Sequence, residues 1–240
     1  MDLSIVIPAF EESGKIARDI EAAAAFIEGE NLTGEIIVVD DGSQDNTTAA
    51  AEATNVPVGV HLNVIRYDTN RGKGYAIRTG MAASQGDYVM FADSGNCVPY
   101  ENTLRGLEIL KSGSCELAHG SRKLAESNIH QAQAWHRRIL SRIFHRLMIW
   151  ILKVPAELTD TQGGFKLYLG NVARKLYGAC VTDGFMFDIE IILRAKRTGY
   201  RIREFPIEWT SDLDSRLALK RNAAPILAEI LALKRTLAEE

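Results

Sequence analysis

Four apolar runs, each closed by a polar break, dominate the first half of the chain: "LSIVIPA", "GEIIVVDDGS", "VHLNVIRY" and "DYVMFAD". They lack the regular polar alternation of a strand with one face in water. Between them stand stretches with helical spacing, "SGKIARDIEAAAAFIEG", "DNTTAAAEAT" and "KGYAIRTGMAAS". Strands buried on both faces and separated by helices imply a parallel sheet covered on each side. Right-handed crossovers then make it a doubly wound α/β layer. "CELAHGSR" reads as a fifth strand. Beyond residue 122 the pattern changes. "AWHRRILSRIFHRLMIWILKVP" is helical in pattern, apolar and strongly basic, and "TDTQGGFKLYLG" reads as a loop. "FDIEIILRAKRTGY" is helical, "RIREFPIEWT" extended, and "APILAEILALKRTLAEE" a closing amphipathic helix. No repeat, low-complexity tract or linker interrupts the chain, so residues 1–240 are expected to form one domain.

Several function classes are disfavoured at once. A formal net charge of -3 argues against a general nucleic-acid binder. Cys97, Cys115 and Cys180 are widely spaced, with no metal-ligand pattern, and read as free thiols of a reducing cytosol. "MDLSIVIPAF" has no signal-peptide pattern, and no run of about 18 apolar residues predicts a membrane span. No G-x-G-x-x-G follows the first strand, which disfavours a dinucleotide-dependent dehydrogenase. In an open α/β sheet, ligands bind at the carboxyl ends of the strands. There "VMFADSGNCVPY" turns from apolar residues to Asp93, Ser94, Gly95 and Asn96.

Six segments carry a resemblance: "SIVIPAFEES", "IIVVDDGSQDNT", "NRGKGYAIRTGM", "GDYVMFADS", "DTQGGFKLY" and "FDIEIILRA". In this order and spacing they resemble family-2 glycosyltransferases of the GT-A fold, in particular the dolichyl-phosphate glucosyltransferase and mannose synthase branch. The likeness spans roughly residues 3–216. It implies a doubly wound, mostly parallel sheet with helices on both faces. Residues 1–122 would form the nucleotide-sugar half, and residues 123–240 the acceptor side and membrane interface. The implied activity is inverting transfer of a hexose from a nucleotide-diphosphate sugar, of UDP-glucose or GDP-mannose type, to a polyprenyl phosphate. Two other readings stay open: a soluble or cell-envelope hydroxyl acceptor, and a nucleotide-sugar-binding protein with weakened catalysis.

Each segment also has a physical reading. Pro8 stops the first strand, Phe10 offers a face for stacking a base, and Glu12 can accept from base or ribose, although two acids at a helix start also suit its dipole. Glu11 stands where family members usually carry Asn. Asp40 or Asp41 can accept from a base N–H, the other acid capping the next helix or binding ribose; a plain Asp-Gly turn capped by Ser43 or Asp45 is the alternative. Lys73 adds a cation at a helix start, and Gly72 and Gly74 let backbone approach a ligand, as a phosphate site or as a simple surface turn. Asp93 matches the family's first metal-binding Asp, while the second, two positions on, is Gly95. One carboxylate plus a donor diphosphate suffices for Mg²⁺ or Mn²⁺, giving a weak site on Asp93 with Asn96.

The resemblance puts Asp160, Gln162 and Asp188 on the acceptor side, with Gly163 where relatives often have Cys. Asp93, Asp160 and Asp188 are the residues expected in catalytic roles; a capped helix start is the plainer role for Asp188 and Glu190. Arg122, Arg138 and Arg216 are candidates for acceptor or diphosphate phosphate. His136, Arg137, Arg138, Arg142, His145 and Arg146 share a helical segment with Trp150, which suits either a lipid headgroup layer or a solvated basic face. The chain is thus expected in the cytoplasm, in peripheral contact with the cytoplasmic membrane face, with a lipid phosphate as partner and no nucleic acid.

Overall fold

The computed structural model describes residues 1–131, 146–210 and 228–237. Arg137, Arg138, Arg142 and Arg216 lie outside the described residues. The parallel framework is β1 (Leu3–Ala9), β2 (Gly34–Asp40), β3 (Val60–Arg66) and β4 (Tyr88–Ala92). β5 (Leu117–Ser121) and β8 (Ile202–Pro206) extend it, and β7 (Phe165–Leu169) is inserted antiparallel, giving the order β3-β2-β1-β4-β7-β5-β8. β6 (Asn128–Gln131) pairs with β9 (Glu208–Thr210) in a separate parallel ribbon.

Successive residues of the central strands feed opposite layers. Ile5, Ile7, Ile36 and Val38 pack under α1 (Ile16–Gly29), α2 (Thr47–Glu52) and α4 (Thr103–Lys111). Val6, Ile37 and Val39 pack under α3 (Lys73–Ala83), α6 (Gly170–Gly178) and α7 (Phe187–Arg197). This is the two-faced burial that continuous apolar strands require. β3 departs from the expectation of burial on both faces: it is an edge strand, and His61, Asn63 and Arg66 are exposed. A third cluster joins Met148 and Leu152 of α5 (146–152), Ile189, Ile192 and Leu193 of α7, and Ile230, Leu233 and Leu237 of α8 (228–237). α7 therefore lies between the sheet and an outer helical layer, and every residue from Phe187 to Ala195 is buried.

The "TDTQGGFKLYLG" stretch corrects the sequence expectation: its second half is β7, not loop. Lys166 breaks the apolar run, yet it is 1% exposed because Asp188 and the Thr161 carbonyl accept its ammonium hydrogens. A cation so neutralised can occupy a strand interior. The antiparallel sense of β7 has a further effect: it starts at the edge where β1, β2 and β4 end, and delivers residues 160–164 there.

Candidate functional site

The carboxyl ends of β1, β2 and β4 form one edge. At β2 the two acids have separate tasks. Asp40 accepts from Ser43 N at 2.8 Å and from the Thr48 hydroxyl, closing the turn into α2. Asp41 accepts from the backbone N–H groups of Arg71 and Gly72 at 2.7 and 2.9 Å, fixing the loop before α3. Neither acid caps α2 at its first residue; Asp45 accepts from Thr47 N at 3.0 Å. Pro8 does not stop β1 as expected: it lies within the strand, in register with Val39 of β2, and the ladder runs on to Ala9. Pro8 and Phe10, the latter just beyond the strand, are half-buried. Glu11 has φ 53°, and the Glu11 and Glu12 N–H groups donate to Ser43 and Thr47 hydroxyls at 2.8 Å each. The Glu12 carboxylate stands 3.8 Å from Lys15.

Gly72 and Gly74 do allow a close backbone approach, but to this chain itself. A Cβ on Gly72 would stand 2.5 Å from the Asp183 carbonyl, and one on Gly74 2.5 Å from that of Thr182. Gly72 also has φ 106°, a conformation that suits glycine. Tyr75 N donates to Asp183 O at 3.1 Å, so residues 182–184 brace the start of α3. Glu190 holds that brace from below, accepting from Val181 N and Thr182 N and pairing with Arg194 at 2.7 Å.

Asp93 follows β4. Its N–H donates to Gly164 O at 2.8 Å, and a Cβ on Gly164 would run into its carboxylate. The Lys73 ammonium lies 2.5 Å from Asp93 Oδ1, so the cation at the start of α3 meets the acid at the end of β4. The following loop is held on both sides: Gly95 N donates to Asp19 of α1 at 2.7 Å, and Thr210 N to Cys97 O at 2.9 Å. Gly95 and Asn96 both have positive φ, 97° and 47°. Burial raises the Asp19 carboxyl to about 6.

On the acceptor side, Asp160 is 2% exposed and grips Arg122 through Nε and Nη2 at 2.6 and 2.7 Å. Burial works to raise its pKa, but the guanidinium prevails and holds it at about 2. Glu204 fixes the segment by accepting from Thr159 N and Asp160 N. The Arg122 guanidinium also sits 5.4 Å from the Trp209 ring centre. Asp188, at the start of α7, is paired with Lys166; burial raises its pKa despite that ammonium. Gln162 lies half-buried in the same loop.

Asp93, Lys73, Arg122, Asp160, Asp188 and Lys166 thus form a set of three acids and three cations. The Arg122–Asp160 and Lys166–Asp188 pairings, and the 182–184 brace, join residues far apart in sequence. Lys166 in the middle of "FKLYL" was the one local signal, since a buried cation requires a buried acid.

A divalent cation at this edge would need oxygen ligands. The loop after β4 offers one carboxylate, Asp93, with Ser94 and Asn96 beside it and Gly95 between them, while Asp40, Asp41, Asp160 and Asp188 are held by backbone N–H groups or paired cations. The Asp93 carboxylate already faces an ammonium, and a second cation there would meet like charge. Among the described residues, no group of three His, Cys, Asp or Glu side chains could hold a metal ion. On their own, these residues do not fit a resident divalent ion.

Residues 4–176 match the family model described as Glycosyl transferase family 2. The dolichyl-phosphate beta-glucosyltransferase of Drosophila melanogaster is 31% identical over 228 residues, covering 90% of this chain and 69% of the relative. That of Saccharomyces cerevisiae is 30% identical over 249 residues, covering 97% and 74%. Among solved structures, a Mycobacterium tuberculosis glucosyl-3-phosphoglycerate synthase in complex with Mn²⁺ and UDP-glucose superposes with a TM-score of 0.72. It is 20% identical and covers 97% of this chain and 78% of its own.

Proposed function

The chain belongs to glycosyl transferase family 2 and has the GT-A fold, and from that premise we propose that this glycosyltransferase moves a hexose from a nucleotide-diphosphate sugar to a polyprenyl phosphate. The alignment with dolichyl-phosphate beta-glucosyltransferases over 90% and 97% of the chain supports the acceptor class. The observation that carries the reading is the state of the acceptor-side acids. Asp160 is ionised and bound to Arg122, and Asp188 is buried on Lys166. A hydroxyl acceptor needs a general base near neutral pKa with a free lone pair. A phosphate acceptor is already an anion and needs none.

In the proposed step, an acceptor phosphate oxygen attacks the anomeric carbon from the side opposite the diphosphate. The new C–O bond forms as the old one breaks, its electron pair leaves on the nucleoside diphosphate, and no proton moves. Inversion at the anomeric carbon follows. Asp160 orients Arg122 toward the incoming phosphate, and Asp188 holds Lys166 and the α7 start in place. Asp41, with Phe10 and Glu12 nearby, shapes the base and ribose side. A divalent ion arriving with the donor would find Asp93 as the nearest carboxylate and would supply positive charge to the leaving diphosphate, but no step of this reading depends on it.

Peripheral membrane contact rests on the outer helical layer. Trp150 is 73% exposed on α5. The same layer holds a cavity of about 490 Å³ lined by Ile151, Leu152, Leu193 and Leu237 with Lys153, Lys196, Arg197 and Lys234. An aromatic at headgroup level and lysines toward lipid phosphates suit an anionic surface. Among the described residues, no helix is long and apolar enough to cross a membrane.

The test compares polyprenyl phosphate with polyprenol of the same chain length, using labelled UDP-glucose and GDP-mannose. Label is expected in the phosphate lipid only. Equal labelling of the alcohol would favour the hydroxyl-acceptor reading.

A further inference from the structure

We infer that Lys73 does for the donor diphosphate what a divalent cation does elsewhere, so that nucleotide binding in this protein does not depend on a metal ion. The inference rests on the proposed nucleotide-sugar chemistry. A bridging metal would join a protein carboxylate to diphosphate oxygens and neutralise them. Here the bridge on the protein side is already made, by an ammonium 2.5 Å from the Asp93 carboxylate. An ammonium has three N–H donors and acts on phosphates as a point charge, so one donor can stay on Asp93 while two turn to the diphosphate.

Three further observations point the same way. Lys73 is the first residue of α3, where the helix dipole also favours an anion. Its loop is not free to drift, because Asp41 holds the Arg71 and Gly72 N–H groups and Asp183 O holds Tyr75 N. Both side chains are partly exposed, 23% for Lys73 and 39% for Asp93, although the Oδ1 that the ammonium faces is buried, so the open side of the pair lies away from that oxygen. Meanwhile Gly95 leaves the strand end short of a second carboxylate, and its φ of 97° disfavours a side chain there. A metal would find a single acid that an ammonium already faces.

The experiment is isothermal titration of UDP and of GDP into the full chain, in EDTA and in Mg²⁺ or Mn²⁺, with Lys73→Met and Lys73→Arg beside wild type. Ligand-free melting curves check that the variants fold. The nucleotide that binds wild type is expected to bind in EDTA within about threefold of its affinity with metal. Lys73→Met should weaken binding in EDTA by about tenfold or more, as loss of a charge-assisted phosphate contact implies. Lys73→Arg should keep metal-free binding. Binding by wild type that appears only with Mg²⁺ or Mn²⁺ would overturn the inference and leave the nucleotide-sugar reading intact. So would a Lys73→Met variant that binds like wild type in EDTA. Failure of both nucleotides under every condition would overturn the inference and the nucleotide-sugar reading together.

Discussion

Asp160→Asn tests whether the Arg122 pair is held as tightly as its geometry indicates. The carboxylate is buried and takes three donors of one residue, Arg122 Nε, Nη2 and backbone N, at 2.6, 2.7 and 3.1 Å. Its pKa falls from 3.8 to about 2 against the opposing effect of burial. Holding the carboxyl that far below its unfolded value contributes about 2 kcal/mol of folding stability. Removing one partner of a fully buried pair costs about 3–5 kcal/mol. The Arg122 side chain is 25% exposed, so water takes up part of the charge left behind. The loss for Asp160→Asn is therefore about 2–3 kcal/mol at pH 7. The folded pKa lies below the unfolded one, so the contribution is present above about pH 4 and disappears as pH falls toward 2, with about half remaining near pH 3. Urea unfolding of wild type and variant at pH 7, 5 and 3 measures the gap directly. Equal stability at pH 7, or a gap that does not shrink at pH 3, would refute the reasoning.

Three other outcomes are expected. Asp41→Ala releases two backbone donors of the loop before α3 and should weaken nucleotide binding by about 1–3 kcal/mol in titration calorimetry. Gly164→Ala forces the Asp93 carboxylate from its place beside Lys73, and should lower nucleotide affinity while Asp160→Asn leaves it largely unchanged. Asp19 carries a raised pKa of about 6, so its burial as an anion destabilises the fold above that pH and not below about pH 4. Asp19→Asn removes the charge but loses one acceptor, and should stabilise the protein by about 1–2 kcal/mol at pH 8 and not at pH 4, read from paired unfolding curves.

β1, β2 and β4 were legible because a strand buried on both faces must be apolar at nearly every position, as in "SIVI" and "IIVV". Asp40, Asp41 and Asp93 were legible because an acid after such a run marks the strand end. β7 was not, since Lys166 breaks the apolar pattern and its partner Asp188 lies 22 residues further on. The same holds for Arg122 and Asp160, 38 residues apart. The glycines of "NRGKGY" suggested an open ligand loop, yet their contacts are carbonyls at 182–184 from the other half of the chain. Local pattern reports burial, whereas ion pairs between distant elements depend on topology, and the antiparallel insertion of β7 set that topology here.

The most direct measurement of the central claim is the structure of the product. Wild-type protein would be incubated with polyprenyl phosphate and its preferred α-linked nucleotide sugar, and the purified lipid examined by ³¹P and ¹H NMR. One product is expected, a phosphodiester joining the lipid phosphate to the sugar's anomeric carbon in the β configuration. A sugar linked through a hydroxyl oxygen, or an α-linked phosphodiester, would contradict it.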